Sequence, residues 1–417
     1  MATVIFASTP AVSAVRPLLA VAASLARRGR RVYFLAAPDF RDLVERAGVV
    51  FVPMGCTGSP GGPDARLAAE VVDRRPSDDD LPSLCAGLRE RHIDPIADQH
   101  AALQALLTRI AGMAPEPELP VLVHDTMFLG AWPLHLGAEG RRFGSELALG
   151  VTPLPWPTVD AASLVDLQAD LDRVLSQCGA TTAAPLLLSG VTTLPDCFLQ
   201  LSISAMERPA RGTAHGVTFV GHIPPTCGDR GDDGLPPWWP DLDTARPVVL
   251  VTPGPTVGGD LDRLTRASLH ALRHVPVLIV VAVDWDAARF GPLPDHARAA
   301  ANLPLAALLP FVDVVISNGD FDDVQHTLAH GVPVIVAADS GPAHEVGRYV
   351  AQAQAGAHLT SSLPSSDALR ETVRSVVDSA TALAGARALR NAYANHDAID
   401  TVTGLLTPRH AHRGVVL

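Results

Sequence analysis

The chain opens on a short run of β-branched and aromatic residues at 3–8 (TVIFAS), then a turn, then apolar positions that recur with a helical period from Pro17 to Arg28. After Gly29 a second apolar run follows, RRVYFLAA at 30–37. Continuous apolar runs of this length suit strands buried on both faces, and proline is at home in the first turn of a helix. The pattern therefore predicts strand, turn, helix and strand, the opening unit of a doubly wound parallel sheet. Ligands of such sheets gather outside the carboxyl ends of the strands, so the loop from Ser8 to Arg16 is expected to face a cleft.

The unit recurs at 247–283, with PVVLVTPG, a polar turn, the helical DLDRLTRASLHALRH and the apolar VPVLIVVAV. Between the two lie residues 221–246, dense in Pro, Gly and Asp and without periodicity, as an interdomain linker would be. The expected layout is a first Rossmann-like domain over 1–220, the linker over 221–246, a second such domain over 247–385, and a helix within 386–417 that returns to the first domain. Further buried strands are expected at VDVVIS (312–317) and VPVIVAA (332–338), separated by a loop and helix in which Gly319 makes the turn. PVLVHDT at 120–126 predicts another, placing Asp125 at a strand end that faces the cleft and His124 on the opposite face.

Composition narrows the functions. The 417 residues are 47% hydrophobic and 18% charged with a mean hydropathy of +0.21, which suits two packed cores rather than disorder. The net charge of −12 argues against a nucleic-acid or anionic-membrane partner. Arginine supplies all 32 basic side chains, so neither a Schiff-base lysine nor a P-loop lysine is available. Cys56, Cys85, Cys178, Cys197 and Cys227 lack C-x-x-C spacing and read as free thiols, with no metal site. No leader or membrane span is apparent, and a cytoplasmic protein is expected.

Several segments carry a family likeness: PLLAVAASLARRGRRVYF, RHIDPIADQHAALQALL, HDTMFLGAWPL, VGHIPP followed by PPWWPDL, and LAHGVPVIVAA. They resemble the bacterial glycosyltransferases that decorate macrolides and other natural products, over nearly the whole chain. The resemblance implies the GT-B fold, an α/β architecture of two Rossmann-like doubly wound parallel-sheet domains facing each other across a cleft. It implies an acceptor in the first domain and a nucleotide sugar such as a UDP- or TDP-sugar in the second. It also implies a histidine after the first strand that deprotonates the acceptor, oriented by an aspartate on a later strand.

Against that pattern four positions depart. The family's G-H-V-x-P falls on Ser13-Ala14-Val15-Arg16-Pro17, so the base position holds Ala14, while Asp125 matches the orienting aspartate. Where the resemblance expects a glycine-rich turn after Asn-Gly, the chain reads Asn318-Gly319-Asp320-Phe321-Asp322-Asp323. Glycine there lets backbone N–H groups approach phosphate; a carboxylate adds bulk and a repulsion of about 4 kcal/mol for unit charges ~4 Å apart at an effective dielectric near 20. In the segment Asp339 to Glu345, Pro342-Ala343 stands where the resemblance expects an Asp-Lys or Asp-Gln pair for sugar hydroxyls, and the donor loop reads Pro253-Gly254-Pro255-Thr256.

These departures lead to an expected function that keeps a hydrophobic, polyketide-like substrate but discards the donor for an acid–base cyclisation or rearrangement, with no cofactor. Asp320, Asp322 and Asp323 would act as acid or base, faced by Asp125 and by His222, which stands in the linker. Aspartates at a helix start are equally good caps, and a divalent cation could instead join them to Asn318. Two alternatives stay open: a nucleotide-sugar-dependent transferase with a base other than histidine, Asn318, Gly319, Gly254 and Thr256 lying near the diphosphate, and a non-catalytic auxiliary of a partner transferase. A homodimer is compatible with any of them. Trp238-Trp239 is expected to staple the linker to the second domain, Asp78 to Asp80 to be a solvated face, and Gly55 to Arg75 to be an acceptor-side loop.

Overall fold

The structure, a computed structural model, describes residues 3–55, 81–113, 118–138, 140–153, 165–207, 216–224, 235–243, 245–252, 261–283, 293–301 and 303–406. The loop expected from Gly55 to Arg75 and the acidic stretch Asp78 to Asp80 fall outside these residues but for Gly55.

Two parallel sheets form. The first is built from β1 (Val4–Ala7), β2 (Val32–Ala36), β3 (Val50–Pro53), β4 (Val121–Asp125), β5 (Ser145–Gly150), β6 (Cys197–Gln200) and β7 (Val217–Phe219), in the order β3-β2-β1-β4-β5-β6-β7. The second contains β8 (Val248–Thr252), β9 (Leu278–Val283), β10 (Ala297–Ala301), β11 (Val314–Ser317), β12 (Val334–Ala337) and β13 (Gly356–Leu359), in the order β10-β9-β8-β11-β12-β13. In both, the winding reverses once, between β1 and β4 and between β8 and β11. Such reversals are where loops leave in opposite directions and open a crevice for ligands.

The strands are apolar on both faces because helices cover both. Helix α1 (Val12–Arg27) buries Val15, Leu18, Val21, Ala22 and Leu25 against Val4 and Phe6 of β1 and Phe34 of β2. The alternate residues Ile5, Tyr33, Leu35 and Leu122 face the other way, onto Leu103, Leu107 and Ile110 of α2 (Ile96–Ala111). Helix α1 begins five residues before Pro17, where the proline pattern had placed its start; Pro17 has no N–H to return to the Ser13 carbonyl, yet the turn forms. Ala14 thus lies within the helix, 3% exposed, rather than in a loop.

On the second sheet sit α3 (Leu261–Leu272), α4 (Phe321–Ala329), α5 (Gly341–Gln352), α6 (Ser366–Val377) and α7 (Ala380–Tyr393). Trp238 and Trp239 stack on each other at 6.1 Å and pack against the core of the second sheet that includes Leu250 and Leu308, with Trp239 edge-on to Phe311. Among the described residues the halves meet at two places. The segment after β6 puts Ile203 and Met206 among Phe321, Val324, Tyr349 and Tyr393 of the second half. In return, α8 (Ala398–Leu405) leaves α7 and packs Ala398 and Val402 into the α1 core, with Arg28 bound to Asp400 at 2.6 Å. The return therefore starts after Tyr393, since α7 stays with α4. At the crossing Gly221 has φ +88°, and a Cβ there would stand 2.5 Å from the Cβ of His396, so the two connections touch. No helix among the described residues is long and apolar enough to cross a membrane.

Candidate functional site

At the second reversal, β8 and β11 end side by side on Thr252 and Ser317, which are partners in register. The Ser317 hydroxyl accepts a hydrogen bond from the Gly319 N–H at 3.1 Å, and the Asn318 side-chain oxygen accepts one from the Asp320 N–H at 3.2 Å. These bonds fold the turn that starts α4. Gly319 has φ +90°, and any Cβ would meet the Ala343 Cβ and carbonyl at 2.8 and 2.9 Å, so the turn seats directly on the start of α5 and requires glycine. Thr252 is 4% exposed, yet its hydroxyl finds no hydrogen-bond partner. An orphaned buried hydroxyl costs about 1–3 kcal/mol, and at a strand end beside a helix start it fits a polar ligand seated there.

Of the three aspartates Asp320 has the capping role. The Asp320 carboxylate is the N-cap of α4 and accepts from the Asp323 N–H at 3.0 Å, while Asp322 and Asp323 lie in the first turn, where the helix dipole favours negative charge. The cap occupies one of the amides that an incoming phosphate would use. Among the described residues no group of three or more His, Cys, Asp or Glu side chains is arranged to hold a metal ion. Asp339, at the end of β12, accepts from the hydroxyls of Ser340 and Ser362 at 2.9 and 2.8 Å and so ties the loop before α5. Gly254 and Thr256 lie outside the described residues.

The first reversal is closed. The Asp125 carboxylate, 1% exposed at the end of β4, accepts from the Thr9 N–H at 2.6 Å, the Thr9 hydroxyl at 3.1 Å and the Met127 N–H at 2.9 Å. Burial pushes its pKa up against the lowering effect of these donors. Thr9, which the sequence did not single out, thereby stitches β1 to β4, and Asp125 has a structural partner in place of the missing imidazole. His124 faces the other side of the sheet. Its Nδ1 lies 2.7 Å from the Asp125 carbonyl and its Nε2 3.1 Å from Glu146, which also binds His135. Burial alone would raise Glu146, but the two imidazoles outweigh it and hold the carboxyl at about 2; burial would lower His124, but Glu146 holds it above its ordinary value.

His222 lies among groups that also neighbour Asp322. Its ring lies 5.8 Å from His326 and 5.4 Å from Tyr393, and burial lowers its pKa to about 4. His326 is four residues beyond Asp322, one turn along the same face of α4, and burial together with Glu207 and Asp322 raises the pKa of the Tyr393 hydroxyl that His222 packs beside. His222 and Asp322 therefore share the surroundings of Tyr393, while Asp125 is engaged by Thr9 and Met127.

Two parallel-sheet Rossmann-like domains, each with one reversal at its strand ends, define the GT-B class of glycosyltransferase. Residues 266–406 match the family described as erythromycin biosynthesis protein CIII-like, C-terminal domain. The chain is 31% identical to 4'-demethylrebeccamycin synthase of Lentzea aerocolonigenes, over 97% of this chain and all of that one. Among solved structures it is similar to the calicheamicin glycosyltransferase CalG4, with TM-score 0.73, 18% identity and 97% of each chain covered. It is also similar to the spinosyn rhamnosyltransferase SpnG complexed with thymidine diphosphate, with TM-score 0.70, 17% identity and coverage of 97% and 100%. The chain belongs to the bacterial natural-product glycosyltransferases of GT-B fold. These likenesses favour sugar transfer over the donor-independent cyclisation expected from the aspartates.

Proposed function

We propose that this protein transfers a sugar from a nucleoside diphosphate sugar to a hydrophobic small molecule, with the diphosphate at the ends of β8 and β11. The observation that carries this is the buried, unpartnered Thr252 hydroxyl beside the Gly319 turn and the start of α4. Backbone N–H groups in the first turn of α4 and the helix dipole supply the attraction for phosphate, and the Asp320 cap opposes it. A donor must therefore displace the Asp320 carboxylate from the Asp323 amide, or a divalent cation must bridge the two anions. A TDP- or UDP-sugar suits the reading, thymidine diphosphate being the nucleotide held by the spinosyn enzyme.

Calorimetric titration with UDP, TDP and GDP, with and without magnesium, tests it. Micromolar binding of at least one nucleotide is expected. Silence for all three in both conditions rejects the proposal. Stronger binding with magnesium identifies the bridged arrangement, and equal binding identifies displacement of the cap.

A further inference from the structure

Resting on the sugar-transfer reading, we propose that the Tyr393 hydroxyl is a positioning group: it ties the donor-binding helix α4 to the first half, so that a nucleotide seated at the start of α4 steadies the junction between the halves. The start of α4 carries the Asp320 cap and the amides offered to phosphate, and the same helix buries Phe321, Val324, Gln325 and Leu328 along one face. Phe321, Val324 and Leu328 share a core with Ile203 and Met206, which belong to the segment after β6. One helix of nine residues therefore has the donor at its end and the other half along its side.

Tyr393 stands where these contacts converge. It ends α7, is 5% exposed, and donates from its hydroxyl to the Gln325 side-chain oxygen at 3.1 Å. Its ring meets the ring of His222, in the linker, edge-on at 5.4 Å. Burial raises its pKa, Ser202 opposes the rise, and the carboxylates of Glu207 and Asp322 add to it, so the hydroxyl keeps its proton and acts as a donor. Ser202 and Glu207 belong to the first half, Gln325 and Asp322 to α4, and Asp322 lies in the first turn beside the cap. A single buried hydroxyl is thus neighbour to both halves and to the turn that receives phosphate in the sugar-transfer reading.

The two kinds of contact act differently. Apolar packing against Ile203 and Met206 resists separation but has no preferred direction, whereas the hydrogen bond to Gln325 fixes how α4 is turned and where it sits along its axis. By linkage, a ligand that steadies α4 is then felt across the junction, and the junction is felt by the ligand.

Hydrogen exchange of the full chain tests this, with and without whichever of UDP, TDP and GDP calorimetry finds to bind. Silence in calorimetry rejects the sugar-transfer reading, and this inference with it, before any exchange is measured. The amides to follow are Val324, bonded to the Asp320 carbonyl, and in the first half Met206 and Glu207, bonded to Ile203, Val220 to Gln200 and Gly221 to Ser202. At nucleotide about thirty times its Kd, exchange at Val324 should slow up to about thirtyfold, and at the first-half amides about fivefold or more. Tyr393→Phe, saturated to the same degree, should keep the effect at Val324 and reduce the first-half effect below about twofold. Gln325→Met removes the acceptor from the other side and should do the same, so it decides the question if Tyr393→Phe does not fold. A hydroxyl that serves the fold alone would instead speed exchange with and without nucleotide alike and leave the first-half ratio intact. Protection confined to Val324 in the unaltered chain, or the first-half ratio kept in the variants, overturns the proposal while nucleotide binding stands.

Discussion

The two strand-end crevices begin from the same topology and differ in how their polar groups are satisfied. At β1 and β4 the Asp125 carboxylate closes on Thr9 and Met127, so the protein completes its own hydrogen bonds. At β8 and β11 the turn is also internally bonded, but the Thr252 hydroxyl is left over and a carboxylate lies where a phosphate would. A crevice that satisfies itself is part of the scaffold, and one that leaves a buried group unsatisfied is shaped for something else. The sugar-transfer proposal puts the donor at the second of these crevices.

The largest effect expected is at the closed crevice. Asp125→Ala leaves the Thr9 and Met127 donors buried and unmatched, for a loss of about 3 kcal/mol and a drop in Tm of roughly 6–12 °C, with nucleotide affinity unchanged in the folded fraction. A loss of nucleotide binding in folded Asp125→Ala protein would break the division between the crevices. Gly319→Ala comes next: the positive φ and the contact with Ala343 predict a loss of about 2 kcal/mol and at least tenfold weaker nucleotide binding by calorimetry. Thr252→Val should separate the two properties. Removing an unsatisfied hydroxyl leaves Tm equal or higher, yet lowers nucleotide affinity about fivefold. A fall in both would mean that the hydroxyl serves the fold. Asp320→Asn keeps the cap and removes the charge, so Tm should move by less than about 2 °C while nucleotide affinity rises up to tenfold.

Stability also depends on pH, read by denaturant midpoints from pH 7.5 to 3. His222, held at about 4 in the folded state against 6.5, takes up its proton more readily when unfolded, so stability falls as pH drops from 6.5 toward 4. Glu146, held at about 2 against 4.5, contributes stability above 4.5 that is lost as pH falls further. His124 is shifted upward, so its contribution is complete below 6.5 and lost as pH rises through its folded value. Glu146→Gln should flatten the lower window and leave the His222 window in place.

The fold was legible because parallel strands buried on both faces must be apolar throughout, and VVLVT, LIVVAV and VVIS are. The start of α1 was misplaced because Pro17 favours a first turn, while packing of Ala14 and Val15 carried the helix further back. At Asp320 the chemical and capping readings were equally legible, since both need a carboxylate at one spacing; the bond to the Asp323 amide shows the cap. Thr9 left no signal, because its partner is 116 residues away and a lone threonine after a strand is ordinary. The His124–Glu146–His135 cluster was equally hidden, being made by strand neighbours and a helix that only the assembled sheet brings together.

The contact of Gly221 with His396 has a mechanical consequence. The chain passes between its halves twice, and because the passages press against each other the halves are joined along a narrow spine rather than at two spread points. A body held along a spine keeps one easy rotation, as the covers of a book do. Bulk introduced at residue 221 should therefore alter how wide the covers part, with both pages left intact.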